Sequence, residues 1–143
     1  MGVLNVYAVT PQNPDVTNMA ELRESRSNFR GVTDRNVVKL FANAINRDPS
    51  QGLEIPRDND PTGFEAALYA DWVNNNFQFN LYVPHDPEEI TKLYKKIAMW
   101  LESSPPAKVR INSEVVKPIT SFVAFAHFMK LCIELNLWWE ADY

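Results

Sequence analysis

The sequence predicts a single α+β domain with about four helices, a small sheet of three to four short strands and an apolar C-terminal helix at its centre. Three observations lead to this fold class. Hydrophobic residues make up 45% of the 143-residue chain and charged residues 22%, which is ordinary globular composition. Segments with a helical spacing of apolar residues alternate with short β-branched or aromatic runs. The length suits one domain, so residues 1–143 are expected to form one unit.

The N-terminal third is predicted to contain one strand and two helices. Residues 3–9 are a β-branched and aromatic run that ends before two prolines, which is typical of a strand. A capping-box spacing predicts a short helix over residues 19–27. After Asp34, apolar side chains recur at spacings of three and four as far as Ile45, and this pattern predicts a second helix.

The middle of the chain is predicted to be a loop, a helix and a strand. Residues 48–62 contain three prolines and a glycine with little periodicity, so they predict a long loop. Thr62 and Glu65 have capping-box spacing, which predicts a helix that ends at three consecutive asparagines. Residues 77–83 then alternate apolar and polar side chains, and this period of two predicts the clearest strand of the chain.

A helix and a hairpin are predicted next. Asp86 is a suitable N-cap and Pro87 suits the first helical position, so a helix begins here and ends at a Ser-Ser-Pro-Pro segment. Residues 108–117 then alternate around Asn112 and Ser113, which predicts a hairpin with a two-residue turn.

The last predicted helix, residues 118–137, is apolar around most of its circumference. Fifteen of the twenty-one residues 119–139 are apolar. The polar side chains fall on one narrow stripe: Thr120, His127, Lys130 and Glu134. Such a helix lies either at the centre of its own domain or under another subunit.

The residue inventory argues against common catalytic, metal and cofactor sites. One cysteine, two histidines and four glycines exclude cysteine-rich metal sites, an intrachain disulfide and the common glycine-rich nucleotide loops. Cys132 lies on an apolar helix face, which indicates a buried thiol. Asp58 and Asp60 match part of a calcium-binding loop, but Tyr69 stands where that loop needs a bidentate carboxylate. We therefore expect a non-enzymatic protein without metal or cofactor.

A cytoplasmic location is expected, because the first residues lack the charged region and apolar run of a secretory signal. The most membrane-like stretch carries His127, Lys130 and Glu134, each costly in hydrocarbon. No membrane partner is therefore expected.

Charge is distributed unevenly along the chain. Residues 20–47 hold six basic and three acidic residues, whereas residues 48–65 hold five acidic and one basic. Opposed blocks of this kind steer subunits or partners together. Four arginines are suited to gripping phosphate: Arg23, Arg26, Arg30 and Arg35. They support one alternative function, an RNA-binding assembly protein such as a viral nucleocapsid or coat subunit, although the net charge of −4 argues against it.

The aromatic tail, residues 138–143, is the best candidate for a contact surface. Trp138, Trp139 and Tyr143 are residue types enriched at binding hot spots, although the tail is as readily explained as docking on its own domain. The leading hypothesis is a non-catalytic protein-interaction module, either a self-assembling subunit or a small inhibitor or adaptor. A further alternative is a small-molecule binder or enzyme with a pocket under the 48–62 loop.

Overall fold

The computed structural model describes residues 3–13, 29–44 and 53–143. These residues contain four helices and two antiparallel sheets, so the predicted α+β class is confirmed. The helices are α1 (Arg35–Ala44), α2 (Ala70–Phe77), α3 (Pro87–Glu102) and α4 (Ile119–Glu134). The strands are β1 (Asn5–Pro11), β2 (Phe29–Gly31), β3 (Gly63–Glu65), β4 (Lys108–Arg110), β5 (Val116–Pro118) and β6 (Trp138–Asp142).

The larger sheet is built around β1, which lies where the apolar run of residues 3–9 predicts a strand. Strand β6 pairs antiparallel along one edge of β1, from Asn5 opposite Asp142 to Val9 opposite Trp138. The other edge is shared by two shorter strands, with β3 at the start of β1 and β2 at its end. Strands β4 and β5 form a separate two-stranded sheet.

Successive residues of β1 point to opposite faces of the sheet, as the strand period requires. Val6 and Ala8 belong to the main core, whereas Tyr7 and Val9 belong to a small second cluster. We call the side that carries Val6 and Ala8 the inner face and the opposite side the outer face. Phe64 on β3 extends the inner face into the core, with its ring centroid 5.1 Å from that of Phe125.

Helix α4 covers the inner face and is the centre of the domain. Its inward side chains are buried: Phe122, Phe125, Phe128, Met129 and Cys132. The predicted polar stripe of Thr120, His127, Lys130 and Glu134 is exposed. Helix α3 packs along α4, and α1 contacts it through the Phe41–Phe128 ring pair. None of the helices in the described part of the chain is long and apolar enough to cross a membrane.

Two predicted helix starts are confirmed by their caps. The Asp34 carboxylate accepts a hydrogen bond from the Asn36 backbone N–H at 2.8 Å, and the Asp86 carboxylate accepts one from the Glu89 N–H at 2.8 Å. Each cap satisfies a donor that the first helical turn leaves without an intrahelical partner. The helix predicted over residues 19–27 lies outside the described residues.

The helix predicted to begin at Thr62 is wrong. Residues 63–65 form β3, and α2 begins only at Ala70. The Thr62 hydroxyl donates to the Asp60 carboxylate at 2.7 Å, so it is not available to cap a helix. Phe64 instead pairs with Val6 across the sheet and fills the core, and burial of this ring outweighs the local capping signal.

The strand predicted over residues 77–83 is also wrong. Phe77 is the last residue of α2, and Gln78 turns the chain with a left-handed φ of 53°. The alternation still gives the burial correctly, since Phe79 and Leu81 point inward while Asn80 and Tyr82 are exposed. The segment faces the core on one side without joining a sheet.

The predicted hairpin is present, but its connection is longer than two residues. Arg110 pairs with Val116, and the Asn112 side chain accepts hydrogen bonds from the Glu114 and Val115 N–H groups at 2.9 Å. The asparagine therefore organises a wider turn than predicted.

The last helix ends earlier than predicted, and the tail is a strand. Asn136 has a left-handed φ of 55°, its N–H donates to the Ile133 carbonyl, and the Leu137 N–H donates to the Cys132 carbonyl at 2.8 Å. This is the pattern of a Schellman motif, which stops the helix and turns the chain back. Residues 138–142 then run alongside β1 as β6.

Candidate functional site

The outer face of the large sheet is the candidate functional site. Here Phe29 and Trp138 pack against each other with ring centroids 5.9 Å apart, and they form a small apolar cluster with Val9 and Tyr7. This cluster is separate from the main core. Among the residues that the structure describes, the outer face therefore has fewer buried apolar side chains than the inner face.

A concavity of about 260 Å³ opens beside this cluster. Its lining residues come from β1, β2, β6 and the loop before β3: Tyr7, Ala8, Val9, Gly31, Asp58, Asp60, Glu140 and Asp142. Glu140 and Asp142 follow Trp138 at alternate positions of β6, so the strand period brings them to the same face. Four carboxylates thus surround one shallow cavity.

Tyr7 connects the strands to the acidic loop. Its hydroxyl donates a hydrogen bond to Asp58 Oδ2 at 3.0 Å. Gly63 lies opposite Tyr7 on β3, and a Cβ atom at this glycine would lie only 2.5 Å from Tyr7 Cδ1. The missing side chain lets the Tyr7 ring lie across the backbone of β3, which fixes the direction of its hydroxyl.

The surroundings of Tyr7 disfavour the phenolate. Burial raises the pKa of Tyr7 well above its usual range, and the hydrogen bond to Asp58 and the charges of Asp58, Asp142 and Asp60 raise it further. Tyr7 is therefore a neutral hydrogen-bond donor within a negatively charged site.

The acidic loop is held by its own hydrogen bonds. Asp58 Oδ1 accepts from the Asp60 N–H at 3.2 Å, and Asp60 Oδ1 accepts from the Thr62 N–H at 2.9 Å. These contacts position the two carboxylates. Within residues 3–13, 29–44 and 53–143, no three or more Asp, Glu, His or Cys side chains are grouped so as to hold a metal ion.

The structure separates the three residues predicted for the aromatic tail. Trp139 does not lie on the surface: it is only 1% exposed, and its Nε1 donates to Cys132 Sγ at 3.3 Å. The prediction that Trp139 contacts a partner is therefore corrected, because a strand sends adjacent side chains to opposite faces. Trp138 lies on the outer face, and Tyr143 is 61% exposed and packs against Tyr82.

Cys132 is buried in the core, as the sequence predicts. Burial raises the pKa of its thiol to about 12. The thiol is therefore protonated at neutral pH and serves as a hydrogen-bond acceptor for Trp139.

The structure describes two of the four arginines predicted to contact phosphate. Arg30 lies on β2 and donates to the Gln12 side chain at 3.0 Å, and Arg35 is the exposed first residue of α1. Arg23 and Arg26 lie outside the described residues. Phosphate binding by this segment stays a prediction.

The sequence reasoning missed Tyr7, Glu140 and Asp142 as site residues. The signal that identifies the last two is the alternation in residues 138–142, which reads as a strand once Asn136 is recognised as a helix stop. For Asp58 and Asp60 the sequence pattern suggests only a metal-binding role. They belong to the predicted 48–62 loop, of which residues 53–62 are described, and both line the concavity.

Protein-family models, curated proteins and solved structures offer no match to this chain. The chemistry of the outer face is therefore the basis for assigning a function.

Proposed function

We propose that this chain is a non-catalytic protein-interaction module that binds a basic segment of a partner protein through its outer sheet face. One observation carries the proposal: four acidic residues, Asp58, Asp60, Glu140 and Asp142, line a single concavity beside Tyr7. The two pairs come from distant parts of the sequence, so the fold itself assembles this charge.

The electrostatics of such a site favour a cationic partner. A concave surface lined by one sign of charge focuses the potential and raises the rate of encounter with the opposite charge. Carboxylates are strong acceptors for arginine and lysine, and an aromatic ring nearby adds a favourable cation–π contact. An arginine- or lysine-rich segment fits these requirements.

An exposed aromatic pair lies next to the acidic residues in the chain. Tyr143 follows Asp142 directly, and its ring lies 5.3 Å from that of Tyr82. Tyrosine contributes large contact area at interfaces with little loss of conformational freedom. We therefore retain Trp138 and Tyr143 from the predicted aromatic tail as partner contacts.

The test is a titration of the full chain with a synthetic arginine-rich peptide, followed by amide NMR shifts at low and high salt. We expect salt-sensitive shifts centred on Tyr7, Asp58, Glu140 and Asp142. The double variant Asp58→Asn/Asp142→Asn loses at least tenfold in affinity, about 1.4 kcal/mol. Its stability falls by no more than about 1.5 kcal/mol, because the asparagine at position 58 keeps an oxygen that can accept from Tyr7.

The matched control is Glu102→Gln/Glu114→Gln, which changes the net charge equally at exposed positions on α3 and the hairpin. Equal loss of affinity in both double variants indicates non-specific attraction and contradicts the proposal. Absence of any shift at low salt contradicts it as well.

A parallel titration with a single-stranded RNA oligonucleotide addresses the alternative function. Shifts centred on Arg30 and Arg35 instead of the acidic concavity favour the RNA-binding assembly protein. Light scattering at low and high salt separates a self-assembling subunit from an adaptor, since only the first gains mass without an added partner.

A further inference from the structure

His85 pairs with the edge of β6 that faces away from β1. It lies immediately before the cap of α3 and is 5% exposed. Its backbone N–H donates to the Trp139 carbonyl at 3.1 Å, and the Trp139 N–H donates to the His85 carbonyl at 2.9 Å. Strand β6 is thus paired with β1 on one side and with His85 on the other.

Both ring nitrogens of His85 face oxygen acceptors. Nε2 lies 2.6 Å from the Asn80 backbone carbonyl, and Nδ1 lies 3.3 Å from Glu89 Oε2. A neutral imidazole has one donor nitrogen and one acceptor nitrogen. Either neutral tautomer therefore directs a lone pair at an oxygen, whereas the imidazolium donates to both oxygens.

We propose that His85 is a protonated clamp whose two ring N–H groups bind the Asn80 carbonyl and the Glu89 carboxylate, and that loss of this proton loosens β6. The proposal goes beyond the proposed function, because it concerns how the strand is held and not what the outer face binds.

The charges around the ring determine where the proton resides. Glu89 is 30% exposed, so water reaches its side chain. In model peptides the imidazole group has the higher pKa, about 6.5 against about 4.3 for a glutamate carboxyl. Asp86 and Glu88 add negative charge in the same turn of α3 and offset the positive end of its dipole.

Two further segments lie against His85. The preceding segment contributes the Phe79 ring, stacked on His85 with centroids 3.9 Å apart, and β6 contributes Trp139. An aromatic face stabilises a cation placed over it, which offsets part of the cost of burying the imidazolium.

The pairing of β6 with the segment at His85 therefore depends on pH. The clamp is closed while His85 carries both protons, and it opens as rising pH removes one of them. Opening loosens the strand that carries Glu140 and Asp142. The protonated state therefore favours the ordered acidic face.

The experiment reads the protonation state of His85 directly by ¹⁵N NMR of the imidazole in the full chain. We expect both ring nitrogens to be protonated at pH 7.5, about one unit above the reference value for a free histidine. A neutral tautomer at that pH overturns the proposal, whether or not the outer face binds a basic peptide.

Two variants separate the clamp from general effects of charge. In Glu89→Gln the side-chain amide can donate to Nδ1, so His85 becomes neutral at pH 7.5 while the fold is retained. Glu88→Gln removes the same charge from an exposed position one residue earlier and leaves His85 protonated. Equal behaviour of the two variants contradicts the role of Glu89.

Hydrogen exchange tests the coupling to the strand. Protection factors of the His85 and Trp139 amides should fall about tenfold as pH rises through the deprotonation of His85, because an unpaired buried acceptor destabilises the closed form. The Ile97 amide, in the middle of α3 and outside β6, serves as the internal reference. Unchanged protection across the titration overturns the clamp.

Discussion

The two faces of the large sheet share the same strands and differ in almost every physical respect. On the inner face, Val6 and Ala8 lie against a helix whose phenylalanines are fully buried. On the outer face, Tyr7 lies among four carboxylates and beside a cluster of few apolar residues. The strand period separates the two roles residue by residue: one face stabilises the fold, and the other presents charge.

The difference shows why an acidic site is tolerated in a small domain. The inner face collects aromatic rings in contact, with Phe64 near Phe125, Phe128 and Trp139. Burial of rings of this size contributes several kcal/mol. Repulsion between carboxylates that water reaches is screened by water and salt, so it opposes folding only weakly. The core therefore supports a charged surface on the opposite side of the same sheet.

The largest expected effect is on the inner face. Phe64→Ala removes the ring that joins β3 to α4, and we expect a loss of about 3–5 kcal/mol in the free energy of unfolding. Denaturant unfolding measures it, with Phe64→Leu as a milder variant that retains the fold. Phe29→Ala on the outer face should cost less, because its cluster is smaller. An equal or greater cost at Phe29 contradicts the assignment of roles to the two faces.

A second variant tests the contact between Tyr7 and Gly63. Gly63→Ala places a methyl group 2.5 Å from the Tyr7 ring and 2.9 Å from the Val6 carbonyl, so we expect a loss of about 1–3 kcal/mol. Gly31→Ala on β2 is the matched control, because a Cβ there meets no atom within 4 Å. A destabilisation at Gly31 as large as that at Gly63 would show that the glycine contact is not the cause.

The smallest expected effect is that of the Tyr7 hydroxyl. Tyr7→Phe keeps the ring over Gly63 and loses the bond to Asp58, which should cost about 0.5–1.5 kcal/mol at pH 8. Folding raises the pKa of Tyr7, so its neutral phenol stabilises the fold fully below the ordinary value of about 10. This contribution is lost as pH rises above that value.

Urea unfolding of the parent and the Tyr7→Phe variant at pH 8 and pH 10.5 measures this effect. The difference in stability between the two proteins should shrink at the higher pH. Tyr82→Phe, an exposed position, is the control. A stability difference that stays constant with pH would mean that folding does not change the pKa of Tyr7.

The sequence predicts those elements whose signals are local. Asp34 and Asp86 cap the helices that they predict, and the polar stripe of α4 is exposed as its spacing requires. Alternation in residues 77–83 gives the correct buried side chains, although no strand lies beside them. A periodic pattern predicts which side of a segment faces the core. This prediction can be correct even where the segment forms no hydrogen bonds to a neighbouring strand.

The candidate site was only partly predictable. Tyr143 is exposed and Trp138 lies on the outer face, so both positions suit a partner contact. Trp139 belongs to the core. The acidic concavity combines residues about 80 positions apart, Asp60 and Glu140, and no local pattern links them. Their proximity depends on β1 pairing with β3 on one edge and β6 on the other.

By itself the sequence determined the α+β class, the central apolar helix, two helix starts and the buried cysteine, because composition, periodicity and capping act over a few neighbouring residues. Only the tertiary structure decided that residues 63–65 and 138–142 are strands and that Glu140 and Asp142 line the same concavity as Tyr7. Strand pairing joins distant segments, and its free energy comes from partners that a local window of sequence does not contain.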